Sequence, residues 1–346
     1  MELQNIITSQ GFLALSRQQP EMFDHSTSFT LANNTRVTVH APGIIEFVPS
    51  HSATKAIVLS CGVHGNETAP IEILDDLVQG LLNGNLQCQQ SVLVLFGNLP
   101  AMDIGERFVE ENMNRLFSGA HSQAPGLVND ERRRALQLEQ HIEHFYAAQS
   151  SVETRIHYDL HTAIRASKNE KFAVYPLLHG RNHSRSQLAF MAACGVKTIL
   201  LSESPTTTFS YFSSTAFNAH AFTVELGKVR PFGQNDMTRF AEAKAALLAL
   251  VCDRDYQPPS ISLDDLLIYR VNQVINKQHA DFQLHFSDDT ANFTDYKAGQ
   301  VLASETQRQY VAQQDGEAIV FPNASVAIGQ RALLTVVPTT IESLDD

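Results

Sequence analysis

The chain has 346 residues, a formal net charge of −12 and an apolar fraction of 43%. That is ample for one large domain and a small one, each around its own core. The acidic balance argues against a nucleic-acid groove or an anionic membrane surface as the main partner, while leaving room for a small acidic ligand in a local pocket of arginines.

The first twenty residues, "MELQNIITSQGFLALSRQQP", have no basic start and no sustained apolar core, and no window approaches the length needed to span a bilayer. "KAIVLSC" is a compact apolar run that reads as a buried strand. "APIEILDDLVQGLLNG" has helical spacing and a glycine stop. "SVLVLFGNLP" is a second buried strand ending at Asn-Leu-Pro, and "VNDERRRALQLEQHIEHFYAAQ" is an amphipathic helix. "TRIHYDLH", "KTILLSE" and "AHAFTVELG" are further strands, with "RSQLAFMAACG" as a helix among them. "DMTRFAEAKAALLALVCD" closes the region as one long helix. This alternation predicts an α/β fold with a mixed, largely parallel central sheet and helices on both faces. "DYQPPSISLDD" reads as a linker, and the short alternating stretches beyond it predict a small C-terminal all-β domain. The expected domains are 1–256 and 257–346, with the first strand of the second assignable to either. Cys61, Cys88, Cys194 and Cys252 show no paired spacing, so reduced thiols in a cytoplasmic protein are expected.

In open α/β sheets ligands bind beyond the carboxyl ends of the strands. His64 and Glu67 follow "AIVLSC", His161 ends "TRIHYDLH", and Glu225 ends "AFTVE". Arg107, Asn114 and Arg115 lie in the loop "GERFVEENMNRLF". Polar groups from separate strand ends therefore face one edge of one sheet. Two histidines and one carboxylate suit a catalytic zinc with one position kept for water. Gly62 and Gly65 let the backbone turn so that His64 and Glu67 face one ion. The competing reading makes His64 and Glu67 a polar turn capping the next helix. For H-x-x-E alone capping is preferred; His161 and the spare carboxylate of Glu225 shift the preference to the metal. Asp159 shares a strand face with His161 and is a candidate to orient that imidazole. His157 reads as a satisfied core histidine, Cys61 as a packed thiol, and His141 and His144 as solvated groups on a charged helix.

"HGNE", "RFVEENMNRLF", "DLHT" and "VELG", in that order, resemble the zinc-dependent succinylglutamate desuccinylase and aspartoacylase family, a branch of the metallocarboxypeptidase-like hydrolases. The motifs run from His64 to Gly227, and the β-rich C-terminal region matches that family's second domain. The length and the amphipathic insertion before "DLHT" look more like the desuccinylase side. One departure stands out: an acidic residue is expected two positions before the Asn-Arg pair, and this chain has Asn112. The resemblance implies one Zn²⁺ on His64, Glu67 and His161, with Glu225 as general base and Arg107 stabilising the tetrahedral intermediate. It further implies Asn114 and Arg115 as a clamp for the α-carboxylate of the released amino acid. The activity implied is hydrolysis of N-succinyl-L-glutamate to succinate and L-glutamate, at the end of arginine breakdown by the succinyltransferase route. Another N-acyl amino acid, a peptide carboxy-terminus, or a non-catalytic zinc-binding role are the alternatives. Three carboxylates on that substrate call for more cations, for which Arg165, Lys168 and Arg230 are candidates.

Overall fold

The computed structural model describes residues 2–345. Helices α1 (Glu2–Gln10) and α2 (Phe12–Gln18) precede an antiparallel meander of β1 (Thr27–Thr30), β2 (Arg36–Ala41) and β3 (Ile44–Val48). Then come β4 (Lys55–Cys61), α3 (Thr68–Leu82), β5 (Ser91–Phe96), α4 (Leu99–Ile104), α5 (Asp130–Ala148), β6 (Thr154–Ala163) and β7 (Phe172–Tyr175). The short β8 (His183–Ser184), α6 (Arg185–Ala193), β9 (Thr198–Leu201), α7 (Phe209–Phe217), β10 (His220–Lys228) and α8 (Ala241–Cys252) follow. Beyond them lie β11 (Leu267–Asn276), β12 (Gln283–Leu284), β13 (Thr294–Tyr296), β14 (Val301–Glu305), β15 (Arg308–Val311), β16 (Glu317–Val320) and β17 (Arg331–Pro338).

One mixed sheet runs β1-β2-β3-β5-β4-β6-β10-β7-β9-β11-β17-β16-β13. Strands β5, β4, β6 and β10 are mutually parallel, as are β7, β9 and β11, with an antiparallel β10–β7 step between the two groups. The α/β expectation holds, and so does the β-rich C-terminal region. Strand β11 joins the two: it pairs in parallel with β9 and antiparallel with β17. The N-terminal helices and meander, and α7 with its Phe/Ser sequence, go beyond the expected elements. The anticipated long helix from Asp236 is instead a 3-10 turn, Met237–Phe240, leading into α8.

Alternate side chains of a strand point to opposite faces, and here the two faces have different fates. Ile57, Leu59 and Cys61 of β4, Val92, Val94 and Phe96 of β5, and Ile156, Tyr158 and Leu160 of β6 pack in one core with α2, α3, α6 and α8. Ala56, Val58, Leu93 and Leu95 pack on the other side with α5 and Phe209 of α7. On β6 that second face is polar instead: His157, Asp159 and His161 are all buried there. On β10, Phe222, Val224 and Leu226 join the first core, which leaves Thr223 and Glu225 on the same polar face. Buried polar residues in place of core require partners, and these partners make the site.

Helix α3 also carries an acid with no hydrogen bond to its carboxylate among the described residues. Burial, with the neighbouring Asp76 charge adding to it, pushes the Asp75 carboxyl up to about 6. An unfolded-chain aspartate titrates near 3.9. The penalty is therefore absent at low pH, grows as the pH rises between those values, and is complete above them. Asp75→Asn is expected to raise unfolding free energy at about pH 8 by on the order of 2 kcal/mol, and to bring no gain at about pH 3.5. Chemical denaturation at the two pH values checks this.

Candidate active site

Strand β4 delivers the chain to the site at Cys61, and Gly62 turns it with a φ of 65°. A Cβ at Gly62 would lie 2.1 Å from Met102 Cε. Gly65 has a different reason from the one expected. Its φ is not in the left-handed region, but a Cβ there would sit 2.2 Å from the carbonyl carbon of Ala101. Close approach of the α4 backbone, not turning, excludes a side chain at Gly65.

Glu67 occupies the N-cap position of α3, yet its side chain caps nothing. This disposes of the helix-cap reading. The carboxylate turns inward instead. Its Oε1 lies 2.9 Å from His64 Nδ1 and accepts a 2.6 Å hydrogen bond from Arg107 Nη1. Its Oε2 lies 2.8 Å from His161 Nδ1 and accepts from the Thr162 backbone N–H at 3.1 Å. Each of the three residues offers a donor atom within 4.8 Å of the others, and all three are buried.

The outer edge of each imidazole is held from behind. His64 Nε2 lies 3.0 Å from Asn112 Oδ1, and His161 Nε2 lies 2.8 Å from Asp159 Oδ2. An amide oxygen only accepts, so His64 Nε2 carries its proton and Nδ1 presents a lone pair. That Nδ1 is buried with no hydrogen-bond partner. Burial, reinforced by the Arg107 charge, pushes His64 down to about 4, so the ring is neutral. Two lone pairs, of His64 Nδ1 and Glu67 Oε1, thus face each other at 2.9 Å, which is unfavourable unless a cation lies between them. A neutral imidazole backed by an acceptor is the usual condition of a metal-ligating histidine. The donor set and the orphaned nitrogen both fit a metal ion.

Asn112 thus fills the place of the expected acid and keeps its acceptor function without its charge. Asp159 accepts a 2.6 Å bond from Ser60 Oγ, and Ser60 also meets His157 Nε2 at 2.8 Å. The other His157 nitrogen lies 2.7 Å from Ser213 Oγ. His157 is a fully satisfied core histidine, as expected. Burial opposes ionisation of Glu67, but the charge and hydrogen bond of His161 override it and hold this carboxyl well below the usual range.

Glu225 stands beside this cluster because β10 and β6 are parallel with Glu225 in register with His161. Its Oε2 is buried and has no hydrogen-bond partner among the described residues. Burial first, then the Glu67 charge, pushes its pKa up to about 8. Arg107, Asn114, Arg115 and Arg165 line the same cavity. Asn114 Oδ1 accepts from the Phe209 backbone N–H at 3.3 Å, and Arg115 Nη1 donates to the Asn114 carbonyl at 2.8 Å. Arg165 donates to the backbone carbonyl of Asp288 and lies 3.3 Å from its carboxylate. Lys168 pairs with Asp295 at 2.9 Å on the surface. Arg230 lines a neighbouring basic hollow with Lys228 and Arg239. His141 departs from the solvated expectation: its ring lies 5.2 Å from that of His40, and burial pushes it down to about 4.

Two contributions escape sequence reasoning. Asn112 has no motif signal beyond its distance from the Asn-Arg pair. Arg331, which lines the cavity from β17, opens an ordinary apolar strand pattern more than a hundred residues beyond Glu225.

A mixed α/β sheet with an imidazole–carboxylate donor set at its strand ends, and a free carboxylate beside it, defines a hydrolase built to hold a metal ion. Residues 53–251 match the succinylglutamate desuccinylase/aspartoacylase catalytic domain, and residues 264–339 match the AstE/AspA barrel-sandwich hybrid domain. The chain belongs to this family. It is 55% identical to the succinylglutamate desuccinylase of Pseudoalteromonas atlantica over 97% of both chains. It is 50% identical to that of Idiomarina loihiensis over 96% of this chain and 97% of the relative. The crystal structure of the succinylglutamate desuccinylase from Chromobacterium violaceum superposes with a TM-score of 0.84 at 39% identity, covering 96% of this chain and 98% of that one.

His64→Ala is expected to abolish metal retention, measured by elemental analysis of protein purified without added metal. Asn112→Ala, which frees the ring but spares the donors, is expected to weaken metal affinity by about 10–100-fold in a chelator competition.

Proposed function

We propose that this chain is a zinc-dependent amide hydrolase that converts N-succinyl-L-glutamate and water to succinate and L-glutamate, the last step of arginine catabolism by the succinyltransferase route. The observation that carries the reading is the buried Glu225 carboxylate, unpartnered at Oε2 and in register with His161. A site that only bound metal would have no use for it. The near full-length identity to relatives bearing the desuccinylase name supports the substrate.

His64, Glu67 and His161 would hold the ion. When bound, zinc polarises the amide carbonyl and lowers the pKa of water to roughly 7. Glu225 Oε2 takes the proton of the attacking water and delivers it to the amide nitrogen, which leaves poorly unless protonated. Its elevated pKa suits the delivering half of that relay, and positive charge at the donor cluster opposes the elevation and favours the ionised form that the accepting half needs. Arg107 keeps one N–H on Glu67 and has others left for the developing oxyanion. Arg115 is the bidentate partner for the α-carboxylate, a task that suits a planar guanidinium better than an ammonium. Asn114 turns its amide oxygen to Phe209 N–H, which leaves its N–H₂ end for the same anion. Asp159 and Asn112 orient the two imidazoles. The region from 257 onward acts as a second, β-rich domain that walls one side of the cavity. Among the described residues no helix is long and apolar enough to cross a membrane.

Glu225→Gln is expected to retain the metal and lower kcat by about 10²–10⁴-fold; full activity in the variant would discard the base assignment. Arg115→Ala is expected to raise KM for N-succinyl-L-glutamate far more than for its α-carboxamide analogue. Equal effects on the two substrates would remove the clamp.

A further inference from the structure

Arg331 is the first residue of β17, paired with Asn276 of β11 at the edge of the cavity. Its guanidinium lies over the ring of Phe321, 5.6 Å from the centroid. Its Nε is buried with no hydrogen-bond partner, and among the described residues no carboxylate forms an ion pair with it. The other cations near the cavity mouth differ in this respect. Arg107 rests on Glu67, Arg165 on Asp288, and Lys168 on Asp295. Among the described residues, Arg115 is the other cavity arginine without a carboxylate. It donates only to the carbonyl of its neighbour Asn114.

Arg115 and Arg331 are half-buried, and withdrawing a cation from water without an anion is costly, so proteins retain such groups where a ligand supplies the missing charge. The strain is collective. Burial, then the charges of Arg331 and Arg107, pull the Arg115 guanidinium down to about 9, while burial and the Arg107 charge pull Arg331 down to about 10. Four guanidinium groups thus line one cavity of a chain whose net charge is −12, and two of them, Arg107 and Arg165, already have carboxylate partners. The platform beneath Arg331 is itself constrained. Phe321 has a φ of 54°, unusual for a bulky residue. It is held there by a 2.8 Å hydrogen bond from its N–H to Asn292 Oδ1 and by its ring, 5.5 Å from that of Phe172 on β7. Backbone conformations of this kind persist where the surroundings over-determine them, and they cluster at ligand clamps. Phe172 pairs directly with Glu225 across β7 and β10. The platform is therefore tied to the strand that carries the proposed base.

We infer that Arg331 is a specificity-determining residue: its guanidinium receives one of the two substrate carboxylates that lie away from the α-carbon, so the C-terminal β region reads the substrate's second acid. This rests on the substrate assigned above. Arg115 takes the α-carboxylate, and the next unpaired guanidinium in the same cavity takes the terminal carboxylate of either the succinyl or the glutamyl chain. Planar, fixed donors over an aromatic platform favour a carboxylate over a neutral end group.

The test compares wild type with Arg331→Gln and Arg331→Lys on three amides. These are N-succinyl-L-glutamate, N-butyryl-L-glutamate without the acyl carboxylate, and N-succinyl-L-norvaline without the side-chain carboxylate. Arg331→Gln is expected to lower kcat/KM for the parent by about 10–100-fold, the usual worth of a charge-assisted pair. For one of the two truncated amides the wild type and the variant should be equal, which names the carboxylate. Arg331→Lys should recover part of the loss. An equal loss on all three amides, or no loss on the parent, overturns the assignment. A second readout does not need turnover: titration calorimetry of metal-loaded protein with succinate and, separately, L-glutamate. Arg331→Gln should weaken one of the two about 10–100-fold and spare the other; unchanged affinity for both overturns the proposal. If the wild type failed to cleave N-succinyl-L-glutamate while the variant still lost binding of one diacid, the functional reading would fall and the role of Arg331 would stand.

Discussion

The site is organised around one buried carboxylate. Glu67 sits under the surface with His64 and Arg107 on one oxygen and His161 and the Thr162 N–H on the other. An isolated carboxylate at that depth would neutralise itself by taking up a proton. Here surrounding positive and donating groups hold it ionised. One oxygen fixes the imidazole of His161, the other faces the lone pair of His64 Nδ1, and the charge of Glu67 is in turn felt by Glu225. Removing or misplacing this one group would leave the histidines facing each other with nothing to define the space between their Nδ1 atoms.

The sheet makes this arrangement affordable in a physical sense. Helices α3 and α8 cover one face of β4, β5 and β6 with a continuous apolar core, while the opposite face of β6 and β10 is given to polar residues at the carboxyl ends. Parallel register then sets neighbours without any local sequence signal. His161 lies beside Glu225, and Asp159 beside Thr223. The buried chain of Asp159, Ser60, His157 and Ser213 satisfies each member by hydrogen bonds, so the imidazole of His161 has one orientation. Rigid support of this type keeps donor atoms in place when the metal is exchanged or the substrate departs.

Charge is distributed with similar economy. The chain as a whole is acidic, yet its cavity holds Arg107, Arg115, Arg165 and Arg331. The acidic exterior discourages polyanions, while the local cluster favours a small molecule bearing several carboxylates. The arginines come from distant parts of the chain, two from the loop after β5 and α4, one from just after β6 and one from β17. The pocket therefore forms only when the C-terminal strands pack against β7 and β9, through Phe172, Leu200, Phe293 and Val320.

Local sequence carried most of the secondary structure. Apolar runs such as "AIVLSC" and "SVLVLF" become buried strands because no other conformation hides so many consecutive apolar groups in so short a length. The donors His64, Glu67 and His161 were legible for a related reason: strand ends in this class of sheet open onto one edge, so polar residues there converge. Helix α7 was not legible, since its Phe/Ser sequence has no strong preference and is held by stacking of Phe209 on Phe117 at 4.0 Å. Nor was the contribution of Asn112, which depends on which atom the loop places behind His64, nor that of Arg331. The sequence alone thus determined the α/β class, the strand ends at which His64, Glu67 and His161 lie and the acidic character of the whole, because these follow from short-range pattern and composition. Tertiary structure decided that Glu67 would turn from the helix cap toward His64 and His161, that Gly65 would be needed for close approach, and that a cation from β17 would enter the cavity. Those outcomes are set by packing between segments far apart in the chain, where local preference exerts no force.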